Sequence, residues 1–393
     1  MTHLVLIQQD GYDRDLLERH LQAAFDQLDL SSVIESGENI LIKPNMLAAV
    51  HPDKAVTPHP QVFAALAACL RRLDVNLSYG DSPAIDTPER AARICGFAEA
   101  AASMQIPMAN FSQADPVTVS EAEAYRLMYL ARGVSAADGL VSLAKLKTHA
   151  LTGMTGVLKN QFGVISGIAK AKLHVQFPNL EDFARLLTDI NRHVRPRFAV
   201  MDAIISMEGN GPKNGHPRQT GWLLVSTDLV AIDTAAALLI GLDPKNLPFI
   251  RTAAAGGLGE CRPDQIHVTL IRQQGDSIIS SEHPLPEIAD RLGVKDFKQA
   301  ETRHSTLSRA TRMAPLLKRF VLSRPVIDPD ICTRCGLCET VCPLDPKAVR
   351  QIKARTVPVY QYSRCIRCYC CQETCPAGAI TVRRTLIGRW FRT

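Results

Sequence analysis

The sequence predicts an α/β protein: a large domain on a mostly parallel sheet over residues 1–297, a basic connector over 298–325, and a small α+β domain over 326–393. Three observations point there. Strand-like apolar runs alternate with segments of helical period through the first part of the chain, the pattern of a parallel sheet covered by helices. From Lys298 onward, 18 Lys and Arg stand against 6 Asp and Glu. From Cys332 onward, eight of the twelve cysteines fall into two runs of one spacing. A chain of 393 residues exceeds one typical domain.

Leu4–Gln8 reads as a first strand, and a segment of helical period follows to about Leu30. Glu38–Lys43 reads as a buried strand stopped by Pro44, which cannot continue a central ladder. Thr57-Pro58 opens a helix with Val62, Phe63, Leu66, Leu70 and Leu73 on its apolar side. Val75–Tyr79 is the next strand and ends in Gly80-Asp81-Ser82-Pro83. Thr87-Pro88-Glu89 starts another helix with a capping hydroxyl and a first-turn proline. Gly139–Leu143 predicts a buried strand that delivers Lys145, Lys147 and His149 at its end, before a Gly-rich piece from Thr152 to Gly163. Asn179 caps a helix with Phe183, Leu186, Leu187 and Ile190 inward. Phe198–Ile205, Trp222–Ser226 and Ile266–Ile271 supply the last strands, and Asp228 caps the helix that ends before Gly241. In the connector, Ser305–Leu322 reads as a basic amphipathic helix packing on its own protein, with peripheral membrane contact as the alternative.

The two cysteine runs are Cys332-x2-Cys335-x2-Cys338-x3-Cys342-Pro343 and Cys365-x2-Cys368-x2-Cys371-x3-Cys375-Pro376. They resemble bacterial ferredoxins that hold two [4Fe–4S] clusters, over roughly the last 70 residues. In that spacing three thiolates of one run reach one cubane and the fourth serves the other. Cys332, Cys335, Cys338 and Cys375 are thus assigned to one cluster, and Cys365, Cys368, Cys371 and Cys342 to the second. A zinc site would leave the third cysteine of each run superfluous. Disulfides would require an oxidising compartment, and the N-terminal residues lack the layout of a signal peptide. Cys69, Cys95 and Cys261 read as free thiols, and Cys370 as a spare neighbour of Cys371.

The hydrophobic fraction of 46% and charged fraction of 21% suit an ordinary globular protein. No run reaches the roughly 18 apolar residues of a membrane span, so the cytoplasm is the expected compartment. The net charge of +6 divides into +12 from Lys298 onward and −6 before it. That excess suits anionic clusters and an acidic redox partner such as a ferredoxin or flavodoxin. Few aromatics interleave with the basic residues, which speaks against nucleic acid.

In open α/β sheets ligands bind beyond the C-terminal ends of the strands. Polar groups recur there: Lys43 and Asn45, Asp81 and Ser82, Lys145, Lys147 and His149, Lys159 and Asn160, and Glu208 and Asn210. Lys43-Pro44-Asn45, the run Lys145–His149, Thr155-Gly156-x2-Lys159-Asn160-x-Phe162-Gly163 and Glu208-Gly-Asn-Gly-Pro212 resemble the domain of unknown function 362, over about residues 35–260. The resemblance implies an α/β domain coupled to iron–sulfur clusters and names no reaction. A phosphate loop, a dinucleotide fingerprint and, outside the two cysteine repeats, a Cx3Cx2C run are absent. A flavin needs no short motif and stays open.

These features predict a low-potential reductase. Lys43, Lys147 and Lys159 hold an anionic small molecule, and His149 donates a proton because its ordinary pKa lies near neutrality. Asp81 and Glu208 orient these groups or bind a divalent ion with Asn210, while Asn45, Lys145 and Asn160 line the cofactor or substrate. The alternative is a non-catalytic electron carrier or assembly factor whose α/β domain docks a client.

Overall fold

The computed structural model describes residues 2–300 and 323–383. The helix predicted at Ser305–Leu322 lies outside them. Fifteen strands are described: β1 Thr2–Gln8, β2 Asn39–Pro44, β3 Asn76–Tyr79, β4 Ala114–Thr118, β5 Leu127–Ala131, β6 Gly139–His149, β7 Gly153–Thr155, β8 Phe198–Glu208, β9 His216–Ser226, β10 Ile266–Gln274, β11 Ser277–Pro284, β12 Arg324–Ile327, β13 Val349–Arg350, β14 Val359–Tyr360 and β15 Ile380–Arg383. The α-helices are α1 Arg14–Gln27, α2 Pro60–Arg71, α3 Pro88–Ile94, α4 Phe97–Ser103, α5 Arg132–Ser135, α6 Val157–Asn160, α7 Gly167–Gln176, α8 Leu180–Val194, α9 Leu229–Leu239, α10 Pro248–Ala255, α11 Leu285–Leu292, α12 Leu337–Thr340 and α13 Cys370–Thr374.

The large domain is a nine-stranded sheet of order β11-β10-β1-β9-β8-β6-β2-β3, with β7 paired to the end of β6. β1, β2, β3, β6, β8 and β10 run one way, while β7, β9 and β11 oppose them. The predicted mostly parallel sheet is therefore present, with an antiparallel strand set into its middle. Side chains alternate across it as a pleat requires. Leu4 and Leu6 enter the core under α8, α9, α10 and α11. Val5 and Ile7 enter the core under α1, α2 and α4.

Caps follow the sequence at three helices. Thr87, Asn179 and Asp228 accept the backbone N–H of Arg90, Asp182 and Ala231. At α2 the start moves to Pro60, where His59 Nδ1 accepts from Gln61 N at 3.2 Å. The larger difference is β6. It continues past Leu143 to His149 because β7 pairs its last residues, Lys147 with Thr155 and His149 with Gly153. Lys145, Lys147 and His149 are consequently buried strand residues and not a loop beyond the strand.

In the C-terminal module β12 pairs with β15, and β13 with β14. The cysteine repeat is also a backbone repeat: Arg334 (φ 58°) and Arg367 (φ 63°) occupy one left-handed position. Gly336 (φ 77°) and Tyr369 (φ 61°) occupy the next. The module is seated on the α/β domain. Gln372 Nε2 lies 2.9 Å from Asn210 Oδ1 and 3.2 Å from Gly211 O. Asn214 Nδ2 donates to Gln372 O at 3.1 Å. Tyr369 and Val382 belong to the core of the large domain.

Candidate functional site

The tips of β2, β3 and β6 bring five predicted residues into one buried network. Lys43 Nζ pairs with Asp81 Oδ1 at 2.8 Å and donates to Asn160 Oδ1 at 2.9 Å. That same oxygen accepts from Asn45 Nδ2 at 3.1 Å, and Asn45 Oδ1 accepts from Lys147 Nζ at 2.7 Å. Lys147 also donates to Val56 O at 2.6 Å. The motif Lys43-Pro44-Asn45 thus reads as a bridge: its lysine meets the acid after β3, and its asparagine meets the lysine of β6. Gly163 lacks a side chain because a Cβ there would stand 2.0 Å from Asp81 Oδ1 and 2.6 Å from Lys43 Nζ.

Lys147 is fully buried and has no carboxylate among those direct partners. Burial, and then the Lys159 ammonium, hold its pKa well below the ordinary lysine value. Among the described residues no hydrogen bond or ion pair holds the Lys159 ammonium. Burial depresses it, and Glu373 and Cys370 oppose that shift. Lys170 of α7 donates to Ser82 O, and burial brings it down to about 8.

A carboxylate facing Lys147 and Lys159 comes from the cysteine module, while Asp81 is the one that acts on Lys170. Glu373 lies on α13 between Cys371 and Cys375, and its Oε1 stands 3.1 Å from His149 Nε2, off the axis of a hydrogen bond. His149 Nδ1 accepts from Leu151 N at 3.0 Å, which places the imidazole proton on Nε2, toward Glu373. Burial would raise the pKa of Glu373. His149, Lys159 and His174 together outweigh burial and hold it at about 2. Burial and Lys159 push His149 down to about 4, so the expectation that it titrates near neutrality is corrected: the ring is neutral. His174, stacked on Phe183 at 5.0 Å, is likewise held at about 4 by burial.

The remaining predicted residues lie elsewhere. Lys145 pairs with Asp202 Oδ2 at 2.8 Å and donates to Tyr12 OH at 3.2 Å, in a separate network where Tyr12 stacks on His59. Glu208 accepts from Lys298 N at 3.0 Å, and Asn210 is a seat for Gln372. Asp81, Glu208 and Asn210 are thereby committed to three different partners. Among the described residues no three His, Cys, Asp or Glu side chains are placed to hold one metal ion.

The eight run cysteines suit a body larger than one ion. No disulfide joins them. Cys338 is faced by Cys335, Cys375 and Cys332, one of the two sets predicted from spacing. Cys371 is faced by Cys368 and Cys365 of the other, and also by Cys338 of the first. Donors already point at the sulfurs: Arg334 N at Cys332, Ala348 N at Cys342, both 3.4 Å, and Tyr360 OH at Cys371, 3.0 Å. Hydrogen bonds to cluster sulfurs stabilise the reduced, more negative state. Tyr360→Phe is therefore expected to lower the potential of the cluster bound by Cys371 and leave the other unchanged. Paramagnetic-resonance redox titration of the two proteins checks this, and equal potentials would refute it.

Glu373, His174 and Lys170 were not read from the sequence. Glu373 is hidden inside the cysteine spacing, although it is the one acid in that run's Cys371–Cys375 interval. Asp233 was missed as well. It accepts from Val157 N at 2.8 Å and Leu158 N at 3.0 Å, and burial raises it to about 7. Gly156 leaves it room, since a Cβ there would stand 1.9 Å from Asp233 Oδ1.

Comparison with known proteins gives two family matches: the "Domain of unknown function (DUF362)" over residues 40–238 and the "4Fe-4S dicluster domain" over residues 324–376. The thylakoid-associated protein sll1697 of Synechocystis is 27% identical over 285 residues, covering 72% of this chain and 87% of its own. The lactate racemase apoprotein of Thermoanaerobacterium thermosaccharolyticum aligns with a TM-score of 0.40 at 14% identity. That alignment covers 57% of this chain and 54% of the other. A Thermotoga maritima protein aligns at 0.33 and 12% identity, over 51% and 52% of the two chains. Among the described residues no helix is long and apolar enough to cross a membrane.

Proposed function

The chain belongs to the Domain of unknown function (DUF362) family and carries a 4Fe-4S dicluster domain. From that premise we propose that it is a low-potential reductase whose two clusters serve an acceptor held at the tips of β2, β3 and β6. The observation that carries this is Glu373. A side chain between two cluster ligands stands 3.1 Å from His149 and faces Lys159, so the module that binds iron also walls the cationic site.

When bound, the clusters supply electrons one at a time. The chain's own residues do the rest. Burial disfavours the ammonium forms of Lys147 and Lys159, so an anionic acceptor that restores those charges is favoured there, as is any negative charge that develops on it. Lys43 is already neutralised by Asp81 and holds Asn160 and Asn45 in place for Lys147. His149 orients Glu373. Lys170, near 8, is better matched than His149 to give up a proton close to neutral pH.

The test uses anaerobically purified protein carrying about eight irons per chain, as two cubanes require. The reduced protein is mixed with small acceptors (2-oxo acids, enoyl thioesters, quinones), and reoxidation is followed by cluster absorbance. An anionic class is expected to reoxidise it with saturation. Lys147→Ala and Lys159→Ala are expected to slow that step by about tenfold or more while iron content holds. Equal rates in all three proteins would leave the module an electron carrier and the α/β domain a docking platform.

A further inference from the structure

Resting on that reductase role, we infer that electrons enter through the first ligand set, at a basic-rimmed apolar patch over Cys335 that fits a small acidic one-electron carrier protein. Each ligand set has two buried cysteines, and of the eight only Cys335 is exposed. Cys371, of the second set, is buried, and α13, which carries it, bears Glu373 against His149. Cys335, of the first set, is exposed. The module thus has an inner and an outer pole.

The outer pole is built as a contact surface. Ile352 is 78% exposed and Val359 is 55% exposed, on a module whose own core is small. Hydrogen bonds bring the turn that carries Ile352 against the loop of Cys335. Gln351 Nε2 donates to Arg334 O at 3.0 Å and to Thr356 O at 2.7 Å, tying the turn after β13 to the Cys332–Cys335 loop. Val359 lies opposite Arg350 in the β13–β14 pair. Around these apolar groups, Arg334, Lys353 and Arg355 are exposed, and no ion pair within the described residues occupies them.

An apolar centre within a charged rim is the anatomy of a transient protein interface. The sign of the rim selects an acidic partner and speeds its encounter. Exposure of a ligand at the centre lets the partner's redox group approach without moving the module. In the transfer itself the carrier loses one electron and the first cluster gains it, with no bond made and no proton moved.

The test uses a plant-type [2Fe–2S] ferredoxin as the acidic probe and the full holoprotein. Binding of the oxidised probe is measured calorimetrically at low and high salt, and carbodiimide cross-links are mapped. The variant Arg334→Glu/Lys353→Glu/Arg355→Glu is compared with Arg14→Glu/Arg272→Glu/Lys295→Glu, an equal charge change at exposed positions of the α/β domain. The first variant is expected to weaken binding by about tenfold or more, the second by less than about twofold, with wild-type binding lost at high salt. Cross-links from the probe's carboxylates are expected at Lys353. Methyl viologen radical should reduce all three proteins alike, which shows intact clusters. Equal weakening by both variants, or by neither, overturns the proposal. None of these readouts involves the acceptor, so a failed port and a failed reductase role give different results.

Discussion

Tyr369→Ala is expected to remove about 3–5 kcal/mol from the stability of the holoprotein, the usual loss when a buried aromatic is truncated to alanine. The ring is 2% exposed and belongs to the core of the α/β domain, although its backbone lies in the cysteine module. Its hydroxyl donates to Ser323 O at 2.9 Å. The residue sits at φ 61°, where the first cysteine repeat has Gly336. A left-handed non-glycine residue costs about 1–3 kcal/mol, which is less than the ring gains by burial. The magnitudes thus explain why a bulky side chain occupies a glycine position: the ring anchors the module. Tyr369→Phe should lose only about 1 kcal/mol, for the hydroxyl. Tyr369→Gly should be less destabilised than Tyr369→Ala because it relieves the backbone. Urea titration of the anaerobic protein, followed by cluster absorbance, gives the order. If alanine and phenylalanine variants unfold together, the ring does not hold the module down.

Much of this architecture is written locally, and the local part was legible. The cysteine spacing gives the ligand sets because a cubane fixes how far apart its thiolates stand along the chain. Asn179 and Asp228 cap their helices because a short polar side chain before an apolar run has one good use. Lys43, Asn45, Asp81, Lys147 and Asn160 were legible as strand-tip groups, and the sheet order then brings them together. What was not legible is the pairing across domains. Nothing near Glu208-Gly-Asn-Gly-Pro212 says that Asn210 receives Gln372 from a segment more than 150 residues later. His149 looked like an acid-base group because its ordinary pKa is near 7. Only its burial beside Lys159 shows otherwise. The length of β6 was underestimated because lysines seldom sit inside strands, and here counter-charges and carbonyls from other segments receive them.

Asp81→Asn is expected to cost a further large sum, about 3–5 kcal/mol, by leaving the Lys43 charge buried without its partner. The asparagine could still accept from Met46 N, which Asp81 Oδ2 does now at 2.7 Å, so the loss would report charge and not the backbone contact. Gly163→Ala should damage the same pair sterically. The informative experiment is the double variant Lys43→Met/Asp81→Leu. Replacing a buried ion pair by apolar side chains of similar size is often neutral or stabilising by about 1–4 kcal/mol. Stability alone therefore does not account for an ion pair at this position. Its other consequence is positional: Lys43 fixes Asn160, Asn160 fixes Asn45, and Asn45 receives Lys147. The double variant is expected to keep wild-type resistance to urea while losing about tenfold in reoxidation by an anionic acceptor, because Asn160 loses its Lys43 donor and the Asn45 oxygen that receives Lys147 is placed less firmly, leaving Val56 O as the fixed partner. A double variant that is stable and reoxidised at the wild-type rate would make the pair a structural feature and move the acceptor toward Lys159 and Lys170.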